Sequence, residues 1–183
     1  MVKRIPVPNT FQPIDDFVDD AWDNIRAIPG ADALFYGVSE AANFSKIWHG
    51  LGILQAIATR DPKRALMTSA ALGLEASLVN GPIKSLFERD RPDVTMEERP
   101  MNLRQPKTSS FPSGHASAAV VAASFLTPGM SWPSRLAVRT LAGLVATSRI
   151  HVQIHHATDV AAGAVTGWAL AKATKPFLRR LLG

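Results

Sequence analysis

Three short blocks decide how this chain reads. They are Lys84-Ser85-Leu86-Phe87-Glu88-Arg89-Asp90-Arg91-Pro92, then Pro112-Ser113-Gly114-His115, then Ser148-Arg149 followed after five residues by His155 and after three more by Asp159. Each block joins cationic or amide donors to a side chain able to carry a proton or attack an electrophile. Together they read as a site that grips a phosphate with several positive charges and attacks it with a histidine. The segments between and around them are alanine-rich and apolar, with little β-branched alternation. An all-α helical bundle of about five or six core helices is therefore expected.

A phosphoryl group in transfer carries negative charge spread over its equatorial oxygens, so catalysis is mostly positioning and preformed positive potential. Arg91 and Arg149 can each offer a planar fork of N–H donors, and Lys84 a point charge. Pro112-Ser113-Gly114-His115 reads as a turn into an apolar helix, His115–Leu126. A helix N-terminus beside a glycine exposes backbone N–H groups to an anion, so Ser113, Gly114 and His115 can close the cradle from a second side. His155 and Asp159 lie four residues apart, on one face if their helix begins near His155. The carboxylate could hold the Nδ1 proton and leave Nε2 as the nucleophile. His115 could protonate the leaving oxygen and then deprotonate a water. This two-step route through a phosphohistidine calls for no metal ion and no cofactor.

These blocks, in this order, resemble the signature of the type 2 phosphatidic acid phosphatase superfamily, which includes bacterial acid phosphatases and vanadium haloperoxidases. That signature is Lys, six residues, Arg-Pro; Pro-Ser-Gly-His; then Ser-Arg, five residues, His, three residues, Asp. The resemblance covers about 65–173. It implies an α-helical bundle in which Lys84, Arg91, Ser113, Gly114 and Arg149 bind phosphate. It also implies His115 as acid and base, His155 as nucleophile and Asp159 as its partner. The expected activity is hydrolysis of a phosphomonoester or diphosphate on a membrane lipid, either a polyprenyl or a glycerolipid phosphate. The alternatives are a soluble broad-specificity acid phosphatase, a vanadium haloperoxidase holding vanadate in the same cradle, and a non-enzymatic lipid-phosphate binder. Intact His115, His155 and Asp159 argue against the last.

Membrane insertion is the less direct inference. A spanning helix needs about 20 mostly apolar residues, and the candidate spans (47–59, 65–83, 115–127, 135–149 and 157–173) are short. Their content of Ala, Gly and Ser suits close helix approach in a membrane. Their charge sidedness is coherent: the three blocks fall on one side. Arg60, Lys63, Arg64, Arg135, Lys175, Arg179 and Arg180 fall on the other. The positive-inside tendency makes the basic face cytoplasmic and turns the site outward, as in a multi-pass protein of the cell membrane. Glu75 is tolerable only facing the bundle interior.

The N-terminal 1–30 reads as an amphipathic segment ahead of a helical phosphatase domain, 31–183. A helix over Asp15–Ile28 would present Phe17, Val18, Ala21, Trp22, Ile25 and Ile28 as one apolar stripe. Asp15, Asp16, Asp19, Asp20 and Asp23 would form a solvated acidic face. No apolar run follows Lys3 and Arg4, so no signal peptide is expected. The last full helix is expected over Asp159–Thr174, with a short basic tail after Lys175-Pro176. Arg89 and Arg104 read as solvated surface, His151 and His156 as local structural groups, and His49 as a packing or interfacial histidine. Trp48, Trp132 and Trp168 suit core packing and interfacial anchoring equally well. With 183 residues there is enough chain for one real core, and with no cysteine there are no disulfides. A net charge of +5, few aromatics and no recognition motif argue against nucleic acid as a partner.

Overall fold

The computed structural model describes residues 4–93 and 108–182. It is an all-α bundle of seven long helices: α1 Gln12–Arg26, α2 Ala31–Ala41, α3 Lys46–Thr59, α4 Pro62–Leu78, α6 Gly114–Leu126, α7 Trp132–His151 and α8 Ala157–Leu182. A single helical turn, α5 (Lys84–Leu86), follows α4. Two-residue strands β1 (Ile5–Pro6) and β2 (Phe87–Glu88) pair in parallel and tie the N-terminus to the first block.

Helix α6 is the axis of the bundle, with α3, α4, α7 and α8 packed around it. Its residues are small and apolar on every side, the pattern of a helix with no face reserved for water. Ala116, Ser117, Ala118, Ala119, Val121 and Ala122 are all buried. Helix α8 meets it through Gly163 and Gly167. A Cβ on Gly163 would lie 2.3 Å from the Ser113 carbonyl oxygen, and one on Gly167 2.3 Å from that of Ser117. Only glycine permits backbones this close, and the small-residue composition acts here. Trp48 belongs to the same core and is fully buried, whereas Trp132 and Trp168 face outward.

Several boundaries depart from expectation for physical reasons. Helix α7 runs beyond the expected 135–149 at both ends, so Ser148 and Arg149 lie within it, facing inward. Helix α8 continues through Pro176 to Leu182. Pro176 removes one backbone donor. However, Lys175 Nζ donates to the Ser124 carbonyl at 2.8 Å and Leu178 is buried, so tertiary contacts carry the helix past the proline. Helix α4 ends at Leu78 and gives way to a wide turn, Val79–Ile83, because Gly81 leaves helical geometry and Pro82 follows it.

The expected stripe on α1 is only partly right. Val18, Trp22 and Ile25 turn inward, but Phe17, Ala21 and Ile28 are exposed. Asp15, placed on the acidic face by sequence, is instead buried at 3% exposure. The inward face of α1 therefore combines Asp15, Val18, Trp22 and Arg26. Arg26 donates to the Ile150 and His151 carbonyls at the end of α7, at 3.0 and 3.3 Å. Among the described residues no helix is both long and apolar enough to cross a membrane. Helix α6, with 13 residues, rises about 20 Å, short of the roughly 30 Å hydrocarbon layer. The longer α7 and α8 carry arginines and lysines.

Candidate active site

The three blocks converge at the N-terminal end of α6. Lys84, Gly114, His115, Arg149 and His155 line one cavity of about 390 Å³. Phe44, Leu72, Ala76 and Ala118 add apolar lining, interleaved with polar Asn43, His49, Glu75 and Asn80. Each polar side chain arrives from a different element. Lys84 comes from the turn after α4, Arg149 from the last inward turn of α7, and His115 from the first turn of α6. The chain then leaves α7 through Gln153, which has a left-handed φ of 51°. The N–H groups of Ile154 and His155 both return to the Arg149 carbonyl, each at 3.2 Å. That fold-back sets His155 beside Arg149.

His155 precedes α8 rather than lying on it, yet it meets Asp159. Its Nδ1 is 3.5 Å from Asp159 Oδ2. This is long for a hydrogen bond, and such contacts tighten in a substrate complex. Arg91 Nη1 lies 3.3 Å from the other ring nitrogen, Nε2. A guanidinium only donates, so Nε2 is the bare nitrogen and Nδ1 carries the proton toward Asp159. Arg91 is itself held by the carbonyls of Ile154, Thr108 and Ser109. Burial pushes the His155 imidazole down to about 3, with Arg91 and Arg149 adding to the shift and Asp159 opposing it. The ring is therefore neutral near pH 7, the state a nucleophile needs.

Asp159 is completely buried. Its Oδ2 accepts from the His156 N–H at 3.0 Å, which closes the first turn of α8 from within. Its Oδ1 accepts from Arg89 Nη1 at 2.7 Å. Arg89, expected as solvated surface, is thus a buried partner of the site, because Asp159 and Asp15 flank it with opposite charge. Arg104 lies outside the described residues.

His115 Nε2 lies 3.0 Å from Asn43 Oδ1. Asn43 Nδ2 donates to Glu40 at 2.7 Å, which fixes the amide so that its oxygen faces His115. The exchangeable proton of His115 is thereby held on Nε2. Asn43 opens a turn in which Phe44 and Ser45 both have left-handed φ, 54° and 57°. Non-glycine residues held there cost about 1–3 kcal/mol each. Nothing in the sequence pointed to Asn43; its contact with His115 crosses 72 residues. Arg149 Nη1 bonds the Ser39 hydroxyl, a second unforeseen partner.

Ser113 is fully buried behind the cavity wall. Its N–H donates to the Asp159 carbonyl at 2.9 Å, locking the start of α6 to the start of α8, and its hydroxyl is buried with no hydrogen-bond partner among the described residues. Gly114 begins α6, and a Cβ there would lie 2.9 Å from Asn80 Oδ1. The first N–H groups of α6, which no helix can satisfy internally, open toward the same end. Lys84 is 6% exposed, and burial together with Arg91 and Arg149 lowers its ammonium to about 8. Glu75 is buried and lines the cavity, facing the interior as its place on α4 required. His49 also lines it and sits 2.9 Å from the Ser69 hydroxyl. His151 is structural: its ring stacks on Phe35 and bonds Asp32 and Trp22.

With this geometry established, the comparison with known proteins is direct. The profile of the PAP2 superfamily matches residues 64–181. The chain belongs to that superfamily. It is 31% identical over 139 residues to decaprenylphosphoryl-5-phosphoribose phosphatase of Mycobacterium tuberculosis, covering 76% of each chain. Two crystal structures share the fold. One is a transmembrane PAP2 type phosphatidylglycerolphosphate phosphatase from Bacillus subtilis, with TM-score 0.70 and 24% identity over 94% of this chain and 88% of that one. The other is LpxE from Aquifex aeolicus, with TM-score 0.67 and 24% identity over 90% and 94%.

Proposed function

We propose that this protein hydrolyses a phosphate ester on a membrane lipid through a phosphohistidine on His155. One observation carries the reading. A neutral, buried His155 presents a bare Nε2 beside Arg91, backed by Asp159, in a cavity that also holds Lys84, Arg149 and His115. In the first step Nε2 attacks phosphorus and the bond to the leaving oxygen breaks. Lys84, Arg91, Arg149 and the α6 N–H groups of Gly114 and His115 balance the charge on the equatorial oxygens, with Ser113 fixing that helix start. The charge of the bound phosphate favours the imidazolium form of His115, which gives one proton to the leaving oxygen and is left neutral. In the second step His115 takes a proton from water, the hydroxyl attacks phosphorus and the P–N bond breaks. Inorganic phosphate leaves and His155 is regenerated.

The apolar share of the cavity lining supports a lipid rather than a wholly polar substrate. The likeness to a phosphatase of a phosphorylated sugar on a polyprenyl carrier supports a polyprenyl-linked monoester. Multi-pass insertion with the site facing outward is part of the same proposal. Ile53, Leu54, Ile57, Leu66 and Val165 expose large apolar side chains on the outer faces of α3, α4 and α8, as lipid contact requires. Arg64, Arg135 and Lys175 gather at the end of α6 away from the site, which favours a cytoplasmic basic face.

The test is phosphate release by detergent-solubilised protein without added metal. The panel holds a polyprenyl monophosphate, a polyprenyl diphosphate, phosphatidic acid and a small water-soluble phosphoester, each beside a His155→Ala control. Turnover of lipids alone, lost in the control, is the expected result. Equal or greater turnover of the soluble ester would favour a broad acid phosphatase. Absence of all turnover, with the lipids still bound, would replace hydrolysis with a binding function.

A further inference from the structure

The family match begins at residue 64, yet a buried carboxylate from α1 reaches the site. Asp15 accepts from the Thr158 N–H at 2.8 Å and from its hydroxyl at 2.9 Å, so it caps the start of α8 from another helix. It also pairs with Arg89 Nη2, while Arg89 Nη1 holds Asp159 Oδ1 at 2.7 Å and Thr158 Oγ1 at 2.8 Å. Every one of these groups is at least half-buried, and Asp15 and Asp159 almost wholly so. The guanidinium fork therefore spans two carboxylates, one from α1 and one that faces His155.

We propose that Asp15 and Arg89 are positioning residues for the His155–Asp159 pair, and that α1 is a working part of the active site. This rests on His155 as nucleophile. Asp159 has two oxygens, and the direction of one fixes the direction of the other. Arg89 claims Oδ1, and Oδ2, which also accepts from the His156 N–H, is left facing Nδ1. Without Asp15, Arg89 keeps a single carboxylate partner and loses the anchor that sets its plane. Removing one partner of a buried ion pair leaves charge uncompensated, which strengthens the pull of Arg89 on Asp159 alone. Asp159 then turns, and the imidazole loses the acceptor that orients it.

The experiment uses Asp15→Asn and Arg89→Lys in the full chain, each alone and combined with Asp159→Asn. Lysine keeps the charge of Arg89 but cannot bridge two carboxylates with one planar fork. Activity is expressed per vanadate-binding site, so that misfolded protein is not counted. Either single change is expected to lower kcat roughly tenfold, the scale of a small misplacement of a reacting group, with KM within about twofold. In the Asp159→Asn background the same change is expected to cost less than about twofold, and Asp15→Glu to recover most of the activity. The nitrogen-15 resonance of His155 Nδ1 is expected to move in Asp15→Asn, a readout that needs no turnover. Equal losses in both backgrounds, or an unmoved resonance with unchanged kcat, would overturn the proposal. Should the wild type release no phosphate, the hydrolytic reading fails and the resonance alone decides the coupling.

Discussion

The two ends of α6 are built on opposite electrostatic rules. At the C-terminal end the helix dipole is negative and donors meet it. Gln55 donates to the Leu126 carbonyl at 2.8 Å, Lys175 to that of Ser124 at 2.8 Å, and Arg64 to that of Pro128 at 3.0 Å. This is the arrangement that stabilises a helix. At the N-terminal end the dipole is positive, and cations still crowd it: Lys84, Arg91 and Arg149 surround Gly114 and His115. Two buried carboxylates, Glu75 and Asp159, are also there, and they are outnumbered by the three cations. Positive charge added to a positive helix end is favourable only when an anion sits between them. The binding site proposed for that end accounts for the contrast, because a bound anion would offset the crowded cations.

The strongest way to break this contrast is to remove the proposed nucleophile. His155→Ala is expected to lower phosphate release by at least about 10⁴-fold, since removing a covalent nucleophile is among the costliest single changes. Vanadate affinity should stay within about tenfold, because the cradle is untouched. Loss of vanadate binding together with activity would mean that His155 builds the site rather than reacts in it.

Next in size are the cradle cations. Lys84→Met is expected to cost about 10²–10³-fold in kcat/KM, the scale of a lost charge-stabilising donor. Its titration sharpens the point. The Lys84 ammonium is lowered to about 8, so it is charged below that pH and loses its proton above it. Inorganic phosphate should therefore bind the wild type more weakly as pH rises through about 8 and beyond. A bound anion favours the charged form, so binding between pH 8 and 10 should take up protons. Isothermal titration calorimetry in buffers of different ionisation heat measures that uptake, and Lys84→Met should abolish it. An unchanged uptake in the variant would assign the proton to another group.

Gly163 and Gly167 pack against the N-cap and first turn of α6 and test whether the site depends on close packing. Alanine removes glycine's cost in a helix, about 0.5–1 kcal/mol. Against this, each Cβ would meet a backbone carbonyl at 2.3 Å, and overpacking costs about 1–3 kcal/mol. Both alanine variants should lower the thermal midpoint. Gly163→Ala should also reduce kcat, because it pushes on Ser113, whose N–H joins α6 to Asp159. Gly167→Ala, one turn farther away, should spare kcat. Equal effects on activity would mean that the whole helix, rather than its first turn, sets the site.

Much of this was legible in the sequence because the site residues come in short blocks. Lys84 to Arg91 and His155 to Asp159 are separated by a turn or two, so local geometry nearly fixes their relation. The helix class followed from alanine-rich composition, and small residues pointed to close helix approach without naming the α6–α8 pair. What could not be read lies at long range. Asp15 is 74 residues from Arg89 and 143 from Thr158. In sequence it stands among five aspartates, four of which have an ordinary surface role available. Burial of a single member depends on how α1 meets α8, which no local pattern states. Asn43 was hidden for the same reason. The end of α8 was misjudged because Pro176 is a local stop signal, overridden by the Lys175 and Leu178 contacts.

The smallest expected effect lies at the far end of α6. Lys175→Ala removes a cation from a carbonyl in the last turn of the helix. Interactions of this kind contribute about 0.3–1 kcal/mol when exposed, and Lys175 is only half-buried. The thermal midpoint should fall by a few degrees at most. Kcat and KM should not change, because Ser124 is more than two helical turns from Gly114. Arg64→Ala should behave alike, since its carbonyl partner belongs to Pro128, beyond the helix end. The two variants thus oppose Lys84→Met: the same type of charge, at the other end of the same helix, with stability affected and catalysis spared. If Lys175→Ala lowered kcat as Lys84→Met does, α6 would transmit its C-terminal charge along its length. The two ends would then form one electrostatic unit rather than a stabilised end and a binding end.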